Sequence, residues 1–236
     1  MFADNAGVRI HALDNEVRDT TLPPVVVVPG MGESAEEYAW LLAELEDRRV
    51  VAIDVRGRGR SDAPEHGYRW EDHIGDIAAM IATLALDRPV LVAFSRGSSY
   101  ALGYALSVPR RVRGLVIGDY HARHVGLPPE FAERQLAVTL RGIPMSERMP
   151  EHAVIGVVED SREVPLWDRL HELVCPVLVI RGGRRGVIVD DDAAARWEAA
   201  LPGVELAMLP DAGHDLWSRD PAAYLAVLRP FLERVR

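Results

Sequence analysis

The chain returns again and again to short apolar runs with few breaks. Residues 22–29 read LPPVVVVP, 49–55 RVVAIDV, 90–94 VLVAF, 112–117 VRGLVI and 175–180 CPVLVI. A strand with one face in water alternates apolar and polar residues, whereas a run that is apolar at successive positions needs cover on both faces. Between the runs lie windows with helical spacing: 36–45, with apolar residues at 38, 41, 42 and 45, and 71–86, with apolar residues at 74, 77, 78, 81 and 84. Further helices are predicted over 98–106, 192–201 and 221–235, a late strand over 204–209 and an opening hairpin within 5–20. Ser34, with Glu37 three residues on, predicts a capped start for the first helix. Strands that alternate with helices specify the α/β class: a mainly parallel, doubly wound sheet with helices on both faces.

One segment departs from that alternation. Residues 121–170 carry no strand signal and three helical windows, at about 129–141, 146–159 and 165–173. An insertion at that point belongs over the C-terminal ends of the strands, where such sheets bind ligands. The expected organisation is a core of residues 1–120 and 171–236 with a small helical cap, 121–170.

Composition narrows the functions available. The 236 residues carry 27 basic and 36 acidic side chains, net charge −9, which argues against nucleic acid or an anionic membrane as partner. Every basic residue is Arg. One cysteine, Cys175, allows neither an intramolecular disulfide nor a multi-cysteine metal site. No signal peptide is evident, and no apolar run approaches the ~20 residues that span a membrane, so a cytoplasmic protein is expected. No zinc-ligand spacing or dinucleotide loop is present, and RGRGRS (56–61) lacks the Lys-Ser/Thr ending of a phosphate loop. No metal or cofactor is expected; the expected partner is a small-molecule substrate, and a homodimer is left open.

Chemistry is concentrated where predicted strands end. Residues 93–97, AFSRG, join a strand to a helix through Ser95, with small residues two before and two after it. That is the spacing of a nucleophile elbow, with Ala93 in the first glycine position. A serine hydroxyl needs a base to take its proton. Of the eight histidines, His214 alone sits in a Gly-His turn after a late strand. The turn 29–32 and Asp119 also fall at strand C-termini.

With PGMG (29–32), DVRGRGRSD (54–62), AFSRG (93–97) and DAGHDLW (211–217) in this order, the chain resembles the α/β-hydrolase family over nearly its whole length. The resemblance implies a nucleophilic Ser95 and a basic His214. It also implies an oxyanion hole from the backbone N–H groups of Met31 and Arg96, although Pro29 stands where the family usually has His. The family's usual acid position, after the next-to-last strand, holds Arg185 or Gly186. Asp119 is the preferred replacement, as certain haloalkane dehalogenases look similar in placing the acid there. Asp190 or Asp191 is the alternative, although that acidic run has the character of a helix N-cap.

The implied function is a serine hydrolase acting on an ester or lactone of a small, largely apolar molecule through an acyl-enzyme. A C–C bond hydrolase or lyase using the same residues, and a non-catalytic binding protein of this fold, are the alternatives. Ser95 in place of an elbow aspartate argues against epoxides and haloalkanes. Trp40, Trp70, Trp167 and Trp217 are candidates for the pocket wall, Leu127, Phe131 and Leu136 for the roof, His121, Arg123 and His124 for substrate contact at the cap hinge, and Tyr120 for a further substrate contact. The side chain of Arg96 either meets a substrate carboxylate or points away. DVRGRGRSD is read as structural, and His73 with Asp76 as a surface pair.

Overall fold

The computed structural model describes all 236 residues. The chain opens with a hairpin, β1 (Phe2–Asn5) and β2 (Val8–Asp14). It lies earlier than the 5–20 expected because its turn is Ala6-Gly7, both with positive φ (53° and 85°). Asn or Asp would have flagged such a turn; Ala at a left-handed position does not. β3 (Val25–Val28), helix α1 (Ala39–Glu44), β4 (Val50–Asp54), α2 (Trp70–Thr83), β5 (Val90–Phe94), α3 (Arg96–Ser107) and β6 (Gly114–Gly118) follow. A 3₁₀ turn over Ala35–Tyr38 leads into α1, and Glu37 accepts from the Ser34 N–H at 3.1 Å. After the inserted segment, whose elements β7 to β10 and α4 to α6 lie within residues 123–165, come β11 (Val177–Gly182), α7 (Asp191–Ala200), β12 (Glu205–Leu209) and α8 (Pro221–Arg234).

One sheet runs β1-β2-β4-β3-β5-β6-β11-β12. From β4 to β12 every pairing is parallel, while β1 and β2 pair antiparallel at the edge. The valine run shows why both faces need cover. Val26 and Val28 join one core with Trp70 and Ile77 of α2, Tyr100 of α3 and Trp197 of α7. Val25 and Val27 join the other, with Leu41 of α1 and Leu228 of α8.

The segment DVRGRGRSD braces the sheet. The Asp54 carboxylate accepts from the Ala35 N–H at 2.5 Å and the Arg60 N–H at 3.0 Å, and meets His11 Nδ1 at 2.7 Å. Gly59 has φ +52°, and a Cβ there would lie 2.3 Å from that carboxylate. His73 and Asp76 are not a surface pair: both are fully buried. Asp76 takes Arg56 (2.7 Å) and Asn5 (2.8 Å), and His73 stacks on Tyr100 at 4.2 Å. The face of α2 that carries them turns toward the brace and α3, so spacing alone misplaced them.

The inserted segment holds β7 (Arg123–His124), α4 (Glu130–Leu136), β8 (Thr139–Leu140), β9 (Ile143–Pro144), α5 (Met145–Arg148), α6 (Glu151–Glu159) and β10 (Val164–Pro165), and ends in a 3₁₀ helix, Trp167–Glu172. Contrary to expectation it contains strands: β7 pairs with β10, and β8 with β9 across the Arg141-Gly142 turn. Ladders two residues long fall below what an alternating pattern can reveal.

Candidate active site

Three strand ends and one loop converge. Ser95 follows β5 with φ +50°, ψ −132°, a costly conformation for a residue with a side chain. It is held there from both sides: its N–H donates to the Gly118 carbonyl (2.8 Å), and its carbonyl accepts from the Ser98 N–H (2.9 Å). The glycine two residues on is obligatory, since a Cβ at Gly97 would lie 2.2 Å from the Pro29 carbonyl oxygen. Ala93 faces no such demand.

His214, from the loop after β12, places Nε2 2.9 Å from Ser95 Oγ and Nδ1 2.7 Å from Asp119 Oδ2. Its imidazole packs on Phe94 at 4.9 Å, and Phe94 in turn rests on Trp217. Asp119, fully buried after β6 with φ +45°, also accepts from the Val189 N–H at 2.9 Å and the Ile188 N–H at 3.0 Å. The loop that lacks the family's usual acid thus supplies two backbone donors to the aspartate beside His214. Asp190 and Asp191 are engaged elsewhere: Asp190 caps α7 through the Ala193 N–H (2.9 Å), and Asp191 pairs with Arg181 (2.6 Å).

A cavity of about 440 Å³ opens above Ser95 and His214, between the sheet and the inserted segment. Met31 and Arg96 line it, and neither backbone N–H donates to an acceptor within the protein. The turn carrying Met31 is close, for a Cβ on Gly30 would sit 3.1 Å from Ser95 Cβ. Tyr120, His121, Leu127 and Phe131 also line the cavity.

The tryptophans do not line it. Trp40 and Trp217 pack with Tyr224 in the core beneath the His214 loop, Trp167 packs on Trp197, and Trp70 donates to the Ser99 carbonyl. Leu136 packs behind the wall, with the cluster around Met145. Large aromatic residues are the default candidates for a wall, but here their area is spent joining layers. Gln135, Val138, Leu140, Met145 and Ile188 line the cavity instead, and nothing in their local sequence marks them.

The side chain of Arg96 is buried. Its Nε donates to the Tyr100 hydroxyl (3.1 Å), Nη1 to the Val125 carbonyl (3.0 Å) and Nη2 to His124 Nε2 (2.9 Å). Burial, and then Arg96, push His124 down to about 2, so it stays neutral and accepts. Burial likewise lowers His121, with Arg123 the next cause.

The chain belongs to the alpha/beta hydrolase fold family, whose sequence model matches residues 23–147. It is similar to epoxide hydrolase B of Mycobacterium tuberculosis, 28% identical over 221 residues, which cover 91% of this chain and 58% of that protein. Among solved structures it superposes on the enol-lactonase from Burkholderia xenovorans LB400 with a TM-score of 0.85 at 20% identity, over 99% of this chain and 100% of that one. The esterase from Exiguobacterium antarcticum gives 0.81 at 21% identity, over 98% of each chain. No helix is long and apolar enough to cross a membrane.

Proposed function

We propose that this protein is a serine hydrolase that opens an ester or lactone of a small molecule through an acyl-enzyme. The observation that carries the reading is the continuous line from Ser95 Oγ through His214 to Asp119, at 2.9 and 2.7 Å. His214 Nε2 takes the proton as Ser95 Oγ attacks the carbonyl carbon. Asp119 holds the imidazole tautomer and stabilises the imidazolium. The Met31 and Arg96 N–H groups receive the oxyanion, and each such donor is typically worth about 3 kcal/mol of transition-state stabilisation. His214 then protonates the leaving alkoxide, and a water that His214 deprotonates releases the acid and restores Ser95. The similar lactonase and esterase structures favour this substrate class. The proposal extends to a cytoplasmic setting, supported by a lone cysteine and the lack of a membrane-spanning helix.

A fluorophosphonate probe tests the reading. The wild type is expected to be labelled and Ser95→Ala, folded to the same circular dichroism spectrum, to be unlabelled. A folded wild type that resists the probe and hydrolyses no simple ester defeats the proposal.

A further inference from the structure

The cavity wall carries positive charge and no negative charge. Arg96 and Arg123 line it together with His121 and His214, and no Asp or Glu does. This runs against the composition, in which acidic side chains outnumber basic ones by 36 to 27. Arg123 has a loose partner, Glu163, at 3.6 Å, with both side chains at least 40% exposed. Arg96 has no acidic partner. It is 4% exposed, and the three groups its guanidinium meets are a hydroxyl, a carbonyl and a neutral imidazole. A guanidinium has five N–H donors, and these contacts leave some of them free. Arg58, also buried, adds to the same field: Nη1 contacts His73 Nε2 at 2.9 Å, and Nε and Nη2 have no partner.

A buried cation that meets only neutral groups is poorly compensated for its lost hydration. Other buried arginines of this chain are answered: Arg56 by Asp76, and Arg148 by Glu37. Of the two that are not, Arg58 and Arg96, it is Arg96 that lies beside the nucleophile in the wall of the cavity. A ligand that brings an anionic group would provide there what the protein lacks.

We infer that the substrate is an anion: an ester or lactone that also bears a carboxylate, received by the Arg96 and Arg123 wall while its scissile carbonyl lies against Ser95. The inference rests on the hydrolase reading and narrows its substrate class. The apolar wall of Leu127, Phe131 and Met145 takes the carbon skeleton, and a planar guanidinium matches a carboxylate better than it matches a neutral group.

The test uses Ser95→Ala, which binds without turning over, and calorimetric titration with monomethyl glutarate and dimethyl glutarate. These ligands share a chain length and differ by one negative charge. The mono-ester is expected to bind about ten- to a hundredfold more tightly at low ionic strength. That preference should shrink in 0.5 M salt and in Ser95→Ala carrying Arg123→Gln or Arg96→Gln. Equal or weaker binding of the mono-ester overturns the inference, as does a preference that salt and Arg123→Gln leave undiminished. If Arg96→Gln fails to fold, salt and Arg123→Gln carry the decision. Wild-type turnover separates the two readings. Ser95-dependent hydrolysis of both esters without an anionic preference in binding sinks the inference alone. A clear preference in binding, with no Ser95-dependent hydrolysis of any ester, sinks the hydrolase reading alone.

Discussion

Asp119 sits in a backbone conformation that favours glycine and makes three contacts that use both carboxylate oxygens. Its two amide donors orient the carboxylate and keep it accepting, which leaves Oδ2 aimed at His214 Nδ1. Asp119→Asn replaces one acceptor oxygen with a donor, so the amides and the imidazole compete for what remains. The expected result is a fall in kcat of up to about 10⁴-fold with the fold retained, because the imidazole is then held in the wrong tautomer. Asp190→Asn, at a helix cap that Asn also serves, should leave kcat within about twofold. Steady-state kinetics on a 4-nitrophenyl ester would decide between them; the reverse ranking would move the acid to the loop after β11.

Among the elements, the β8–β9 hairpin does more than cover the cavity. Arg141 at its turn ties three parts of the core together. It lies 2.7 Å from Glu37, 2.8 Å from Asp215 and 2.9 Å from Glu33, and its guanidinium covers Trp217 at 5.3 Å. Glu33 is buried, accepts from the Gly30 N–H at 2.8 Å and so shapes the turn that carries Met31; Asp215 is the neighbour of His214 in the chain. Burial pushes the Glu33 carboxyl up, and Arg141 is the chief group opposing it. Arg141→Ala would leave Glu33 and Asp215 without a cationic partner, while Arg148 stays on Glu37. It is expected to cost on the order of 3 kcal/mol in urea unfolding and to raise KM as the hairpin loosens. Arg141→Lys should restore part of both. An alanine variant with unchanged KM and urea midpoint would show that the hairpin is held by its apolar contacts.

For the molecule as a whole, two buried neutral histidines set the response to acid. Burial, then Arg58, hold His73 well below the usual histidine range, and burial, then Arg96, hold His124 at about 2. The folded chain therefore binds fewer protons than the unfolded chain once pH falls below ~6.5. Stability that is present above that value drains away as pH falls toward the folded-state values, by about 1.4 kcal/mol per pH unit for each histidine below about pH 6. Urea midpoints at pH 7, 6 and 5 should fall progressively, before most carboxylates titrate, and His124→Gln should flatten the slope. A midpoint constant from pH 7 to 5 would mean that these imidazoles accept a proton in the folded state.

Patterns along the chain specified the α/β class and a mainly parallel sheet, and marked AFSRG as a candidate serine elbow. Each of these depends on local periodicity or on steric demands between near neighbours, as at Gly97. The chain also showed Ser95, Asp119 and His214 as chemically capable residues at strand ends. It could not decide between Asp119 and the 190–191 pair, because that choice depends on which carboxylate reaches the imidazole in space, and Asp119 does so from 95 residues away in sequence. Tertiary packing decided this, and it decided the cavity wall as well. Tryptophans that looked suited to substrate were drawn into joints between layers, where their large apolar area is better buried, while Val138, Leu140 and Ile188 were left to line the cavity. The isolation of Arg96 from any carboxylate is likewise invisible in a chain with 36 acidic residues, because charge pairing is a property of distances in space.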